Sequence, residues 1–142
     1  MIDLSESVIH HINTVSGILT CMREALEQGG VRRWTTYFMA SGDAPEIVQH
    51  FPDLKLPAVV MILKDTVFDD NPRVSYTISA VVCTDLYDDP GEMTVNSICE
   101  AVIQVIDGLE YGDASFAIYS SKQIKIDGSI LAYELVFTVK DH

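Results

Sequence analysis

Three cysteines, two adjacent histidines, a carboxylate-rich turn and a pair of arginines are the side chains here whose chemistry is worth testing first. His10 and His11 are neighbours in a helical pattern, so they point about 100° apart and do not share a face as metal ligands normally do. Asp3, Glu6 or His50 could complete a zinc set with them, but nothing has the spacing of a zinc motif. Their plainer role is as surface histidines. A cysteine nucleophile needs a base within hydrogen-bond reach and an exposed, electropositive setting. Cys21 and Cys99 fall at apolar helical positions and Cys83 sits in a strand-like run, so all three read as buried, reduced thiols packing as small hydrophobes. Their odd number and wide spacing imply no disulfide framework, which fits a reducing compartment. Gly29-Gly30 precedes a strand, whereas a phosphate-cradling loop precedes a helix. In "DLYDDPGE" the carboxylates of Asp85, Asp88, Asp89 and Glu92 lie close enough to hold a cation, but they lack the ordered alternation of a calcium loop. A solvated turn and helix cap is the simpler reading. The sequence therefore nominates no catalytic, cofactor-binding or metal-ligating residue.

Arg32 and Arg33 stand out for a different reason. The chain has 142 residues, with 9 Lys and Arg against 21 Asp and Glu, for a net charge of −12. That field repels nucleic acid, whose binders need a basic footprint, and repels anionic membrane surfaces. Two adjacent arginines in so acidic a chain either pair with local carboxylates or meet an acidic patch on a neighbouring copy. Arginine suits the second role because its fork pairs a carboxylate bidentately. With 48% hydrophobic and 21% charged residues the composition is globular, and this length suits one domain spanning residues 1–142. No apolar run approaches the ~18 residues of a membrane span. "MIDLSESVIHH" lacks a basic region and a long apolar stretch, so no signal peptide is expected.

The elements that position these residues can be read from periodicity. Leu4, Val8, Ile12, Val15, Leu19, Met22 and Leu26 make one stripe of a helix over 5–27, with Asp3 and Glu6 as a capping box and Gly29-Gly30 as the stop. Gly17 costs this helix about 1 kcal/mol against alanine and marks the close approach of another backbone. Residues 31–40, "VRRWTTYFMA", read as a strand with Trp34, Thr36, Phe38 and Ala40 on one face. Residues 41–55 read as a long surface loop with one helical turn near 45–50; loops of this length are often functional. "LPAVVMIL" opens a strand covered on both sides. "YTISAVVCT" follows as a half-buried strand paired with it in a hairpin. "DDPGEMTVNSICEAVIQVIDG" is a helix with Asp89 as N-cap, Pro90 at its first position, Glu92 closing the capping box, and Gly108 as the stop. Its buried stripe is Val95, Ile98, Cys99, Val102 and Ile106. A tight Asp127-Gly128 turn pairs Phe116 with Val139, Ile118 with Phe137, Ile124 with Leu131 and Ile126 with Ser129. The predicted fold class is α+β: a mostly antiparallel or mixed sheet with two main helices packed on it, in the order α-β-β-β-α-β-β.

This layout carries a family resemblance. It has a leading amphipathic helix, a strand and a variable loop, then Leu56-Pro57-Ala58-Val59 opening a long hairpin. A helix started by "DDP" follows, and after "IDGLEYG" comes a closing hairpin, "FAIYSSKQIKIDGSILAYELVFTVKD". It resembles the tail terminator and related minor tail or neck proteins of long-tailed bacteriophages and of prophages, over nearly the whole chain. The resemblance implies a structural protein without catalysis or cofactor. Its subunits form a ring, typically of six copies, on the tail tube. The ring stops tube growth and joins the head-tail connector protein. Residence in the bacterial cytoplasm during assembly and then in the virion tail is implied too. So is ordering on assembly of long loops, here 41–55 and 65–73. A head-to-tail ring uses two different patches on each copy. The strand carrying Arg32, Arg33 and Trp34 is the expected first patch, and acidic Asp85, Asp88, Asp89 and Glu92 are the second. The rival expectations are a small-ligand-binding α+β domain and a metal-dependent enzyme built on the histidines and carboxylates.

Overall fold

The computed structural model describes residues 4–29, 34–39, 42–68, 74–85, 92–112 and 114–141, of which 4–15, 29, 65–68, 74, 92–94, 125, 127 and 141 are described by backbone alone. Helix α1 (Leu4–Gly29) leads into strand β1 (Thr35–Met39). A 3-10 turn (Ala44–Glu46) and the one-turn helix α2 (Ile47–His50) follow. The long strands β2 (Ala58–Phe68) and β3 (Val74–Asp85) precede helix α3 (Glu92–Ile106). Two-residue β4 (Glu110–Tyr111) and the hairpin of β5 (Ala114–Asp127) and β6 (Ile130–Asp141) end the chain. The fold is α+β as expected. The helical turn read near 45–50 is present as the 3-10 turn and α2, and the order gains β4, which is too brief to show periodicity.

The strands form one mixed sheet in the order β1-β2-β3-β6-β5-β4. β1 runs parallel to β2, and every other neighbour pair is antiparallel. Each face has its own core. Helices α1 and α3 cover the first face. Ile18, Met22 and Leu26 of α1 and Val95, Ile98, Val102 and Ile106 of α3 meet Val59, Met61, Tyr76, Ile78, Ala80, Val82, Phe116, Leu135 and Phe137. The five-residue stripe read on α3 is thus fully buried. Gly108 ends the helix at φ 84°, a left-handed conformation that favours glycine.

The second face overturns one expectation. Residues 42–56 are not a surface loop but a cover: Ala44 and Ile47 are buried with Val60, Ile62, Val81, Cys83 and Ala132, and Phe51, Leu54 and Leu56 pack beside them. The Phe51 ring lies 4.9 Å from that of Tyr37, and the Tyr37 hydroxyl accepts the Lys55 N–H at 3.0 Å. The cover enters β2 through a cis Leu56-Pro57 peptide. It packs on the sheet of its own chain. For the same reason β3 is not half-buried: Ser79, Val81 and Cys83 on its second face are as inaccessible as Ile78, Ala80 and Val82 on its first. β2 is covered on both sides, as read.

The C-terminal hairpin corrects a register. Phe116 faces Val139 and Ile118 faces Phe137, as expected, but Ile124 faces Ala132 and Asp127 faces Ile130. The register shifts once between Ile118 and Ser120 and again between Lys125 and Asp127. Each bulge adds one residue to β5, so the tight turn is Gly128-Ser129 rather than Asp127-Gly128. Because side chains alternate with period two, the first bulge also moves Ile124 to the second face, where it packs with Ile126 and Ile130. Gly17 also differs in detail. A Cβ there would collide with the ring and hydroxyl of Tyr111, so the close approach is by a side chain and not a backbone.

Candidate functional site

Of the seven residues nominated from sequence, Trp34 and Asp85 are described with their side chains. Glu92 is described by backbone as the first residue of α3. Arg32, Arg33, Asp88 and Asp89 lie outside the described residues, as does the cap formed by Asp89 and Pro90. Trp34 is half-buried against the helix-side core, and its indole N–H is buried with no acceptor among the described residues. Asp85 is the last residue of β3, half-buried and opposite Ile130. Thr35 pairs with Ala58, and Ala58 with Cys83. Trp34 and Asp85 therefore lie at the same end of the sheet, with β2 between their strands.

The cysteines separate by environment. Burial pushes the Cys83 thiol up to about 12 and that of Cys99 up to about 11. Neither is a thiolate near neutral pH, so neither is poised for nucleophilic attack. Cys21 is half-exposed and not buried as read, because it sits at the margin of α1's packed stripe. Its thiol is also raised, by burial and then by nearby Glu24. His10 and His11 fall in the backbone-only part of α1, and His50 ends α2 in solvent. Among the described residues no three His, Cys, Asp or Glu side chains come together to hold a metal ion. No described helix is long and apolar enough to cross a membrane.

The chemistry that the sequence did not nominate lies on the second face. Asp43, Ala44, Pro45, Lys64, Lys122, Ile124 and Glu134 line a cleft of about 430 Å³. Lys64 sits where β2 shifts register between Leu63 and Asp65, a bulge that can re-aim a side chain. Its ammonium donates to Asp43 Oδ1 at 2.6 Å and to the Gly42 carbonyl at 3.4 Å. Glu134, only 7% exposed, lies between Lys64 and Lys122, with each ammonium 3.7 Å from one of its oxygens. The 3.7 Å gaps exceed direct hydrogen-bond length and suit bridging water. Lys64 holds the Asp43 carboxyl below its ordinary range, first by the hydrogen bond and then by its charge. The cluster pins the start of the cover to β2 and β6, and its two ammoniums and two carboxylates offset one another. No sequence signal pointed to it, because its four charged members come from four separate segments.

A smaller groove of about 200 Å³ runs between α1 and β1, lined by Ser16, Leu19, Thr20, Arg23, Phe38 and Met61. Phe38 is 39% exposed there. Arg23 is occupied by Glu27, four residues along α1, at 3.1 Å.

The sheet margins are the other distinctive surface. β4 pairs with β5 only at residues 114–115. Beyond it, Leu109 accepts the N–H of Phe116 at 2.9 Å, and Asp107 Oδ1 accepts that of Ile118 at 3.0 Å. From residue 119 onward no described group outside the hairpin bonds to the backbone of β5. Tyr119, at the first bulge, is 75% exposed. On the opposite margin β1 covers β2 only at residues 58–62, so 63–68 have β3 as their sole described strand neighbour. No protein-family model matches the chain, and no curated protein does either.

Proposed function

We propose that this chain is a structural subunit of phage or prophage tail assembly: a tail-terminator-like protein that closes into a ring on the tail tube and meets the head connector. The observation that supports this reading is a pair of unlike sheet margins with no strand partner among the described residues, β5 from residue 121 on one side and residues 63–68 of β2 on the other. A head-to-tail ring needs two different patches on opposite sides of each subunit, and strand edges with unpaired backbone groups are ready-made association surfaces. The test is the solution mass by light scattering after gel filtration, at low and moderate salt, with negative-stain imaging. A mass near six subunits (~94 kDa at 15.7 kDa each) with visible rings is expected under the closed-ring geometry of such assemblies. A monomer at the highest concentration reached would turn attention to the second reading.

That second reading is a small-ligand-binding domain, favoured by the Asp43, Lys64, Lys122 and Glu134 cleft. Its mixed charges suit a zwitterion, with ammonium towards the carboxylates and carboxylate towards the lysines. Such a ligand must displace the existing ion pairs, which lowers its net gain. A thermal shift on adding free amino acids that is lost in Lys122→Gln would support it.

A further inference from the structure

We propose that copies of this chain associate by strand pairing, the open margin of β5 (residues 121–125) adding antiparallel to the open margin of β2 (residues 63–68) of the next copy. The inference rests on the ring reading above and names the surface by which the ring forms.

Backbone geometry comes first. The N–H groups of Phe116 and Ile118 point away from β6, since they bond to Leu109 and Asp107. Antiparallel ladders alternate inward and outward pairs. The bulge at Tyr119 shifts that alternation by one residue, so Ser120, opposite Val136, turns inward. Ser121, Gln123 and Lys125 then present their N–H and C=O groups outward, with no described partner. Ser121, Lys122 and Gln123 are exposed.

Direction follows from topology. In the order β1-β2-β3-β6-β5, β2 and β6 run one way and β3 and β5 the other. A neighbour continuing the sheet in the same orientation therefore brings its β5 antiparallel to β2. In-line continuation sets Ser121 level with Met61, through Leu135 and Ala80, where β1 already lies; the next copy is therefore displaced along the strands by about six residues (~20 Å) to reach the stretch that begins beyond Ile62.

Charge makes the two margins complementary. From residue 114 to 126 the sequence has no Asp or Glu and carries Lys122, which is paired to Glu134 of its own chain, and Lys125, in a chain of net charge −12. The β2 margin includes Asp65, a position described by its backbone. Its one cation, Lys64, is already paired within its own chain to Asp43 and Glu134. A self-pair of two β5 margins sets lysines against lysines, whereas the β5–β2 pair brings them to the strand that carries Asp65, which favours the unlike pairing.

The test uses the full-length chain and the concentration at which half of it assembles. Gln123→Pro removes one outward N–H without touching the internal ladder. Lys125→Glu reverses charge at the margin, and Asp65→Lys reverses it on the partner. Lys122 is left alone because a carboxylate there would face buried Glu134. Gln123→Pro and Lys125→Glu are each expected to raise the half-assembly concentration at least about tenfold (about 1.4 kcal/mol). Combining Lys125→Glu with Asp65→Lys is expected to restore assembly. Should Gln123→Pro fail to fold, the charge swap stands alone. Hydrogen exchange on the unmodified chain then serves as the second measurement, with slowed exchange at 121–125 on assembly expected. Assembly that is unchanged in the variants, with no slowing at 121–125, overturns the strand-pairing proposal and leaves the ring reading intact. A chain that stays monomeric at every concentration overturns both.

Discussion

If residues 42–56 are part of the core, removing one buried methyl cluster there must cost as much as a core deletion elsewhere. Ile47 is the residue to cut. It is fully inaccessible and packs with Val60, Ile62, Val81 and Cys83 on the second face. Ile47→Ala removes three carbons, worth about 2.4 kcal/mol at roughly 0.8 kcal/mol each. A cavity term raises the expected loss into the range of about 2–5 kcal/mol seen for buried Ile→Ala changes. A surface loop residue would cost less than about 0.5 kcal/mol. The assay is urea unfolding, followed in parallel by far-ultraviolet circular dichroism and by Trp34 fluorescence. The midpoint should fall with the slope unchanged, because the same surface is exposed on unfolding. A loss below about 0.5 kcal/mol would refute the claim that the cover is structural. Non-coincident transitions would refute the weaker claim that it unfolds together with the sheet.

Four further outcomes are expected. Deleting Tyr119 removes the extra residue of the first bulge and leaves Ser120 opposite Val136, with the following pairs unchanged, so it should cost less than about 1 kcal/mol, as should Tyr119→Ser at a residue 75% exposed; a loss of several kcal/mol on the deletion, read from the melting temperature, would sink the register assignment. Gly17→Ala should gain helix propensity of about 1 kcal/mol only when Tyr111→Ala has removed the colliding ring; a double-mutant cycle measures this, and additive effects would show that the ring moves aside freely. Because Lys64 lowers the Asp43 pKa, the native state binds that proton less readily than the unfolded chain, so the stabilising effect is present above the ordinary 3.8 and lost as pH falls through the lowered value; the stability gap between the wild type and Asp43→Asn should therefore close on acidification, and a gap independent of pH would contradict it. Cys83 works the other way: its folded pKa of about 12 lies above the ordinary 9.0, so its neutral thiol contributes fully below 9.0 and progressively less as pH rises towards 12, and Cys83→Ala should flatten the alkaline limb of the stability–pH curve.

The parts of the fold legible in sequence were those with unbroken periodicity. The stripe on α3 was readable because Val95, Ile98, Cys99, Val102 and Ile106 all face one core. The pairing of β2 with β3 was readable because both strands are apolar and joined by a turn signal. The register beyond Ile118 was not, because a bulge is a one-residue event with no composition of its own. The cover was missed for a related reason: Ala44, Ile47, Phe51, Leu54 and Leu56 pack on the sheet, but two prolines and mixed polarity give them neither helical nor strand spacing. The Lys64–Glu134 cluster lay further out of reach. Alternation does place Glu134 apart from Leu135 and Phe137, on a face that would be solvated in a two-layer domain. Only the cover makes that face an interior, and the cover was read as loop. The expected patches at Arg32, Arg33 and Asp85 to Glu92 came from charge scarcity, and the register adds that Trp34 and Asp85 share one end of the sheet.

Covering both faces has a consequence for how this chain can interact. A two-layer domain leaves one face of its sheet for partners. Here helices take the first face and residues 42–56 take the second, so the central strands β2, β3 and β6 are largely closed to contact over the region both layers reach. Among the described residues, unspent backbone hydrogen-bonding capacity is then concentrated at the margins, where β4 and β1 are too short to finish the sheet. Open margins are hazardous, since any extended chain can add to them. The bulge at Tyr119 and the lysines at 122 and 125 are the devices that discourage indiscriminate pairing. Under the strand-pairing proposal they do not discourage a strand that brings a carboxylate, as the β2 margin with Asp65 would. On that proposal, protection against the wrong partner and selection of the right one rest on the same few residues. For that reason Lys125→Glu separates the two roles more sharply than any truncation of the strand: it leaves the bulge in place, keeps the edge charged, and changes only the sign that the partner reads.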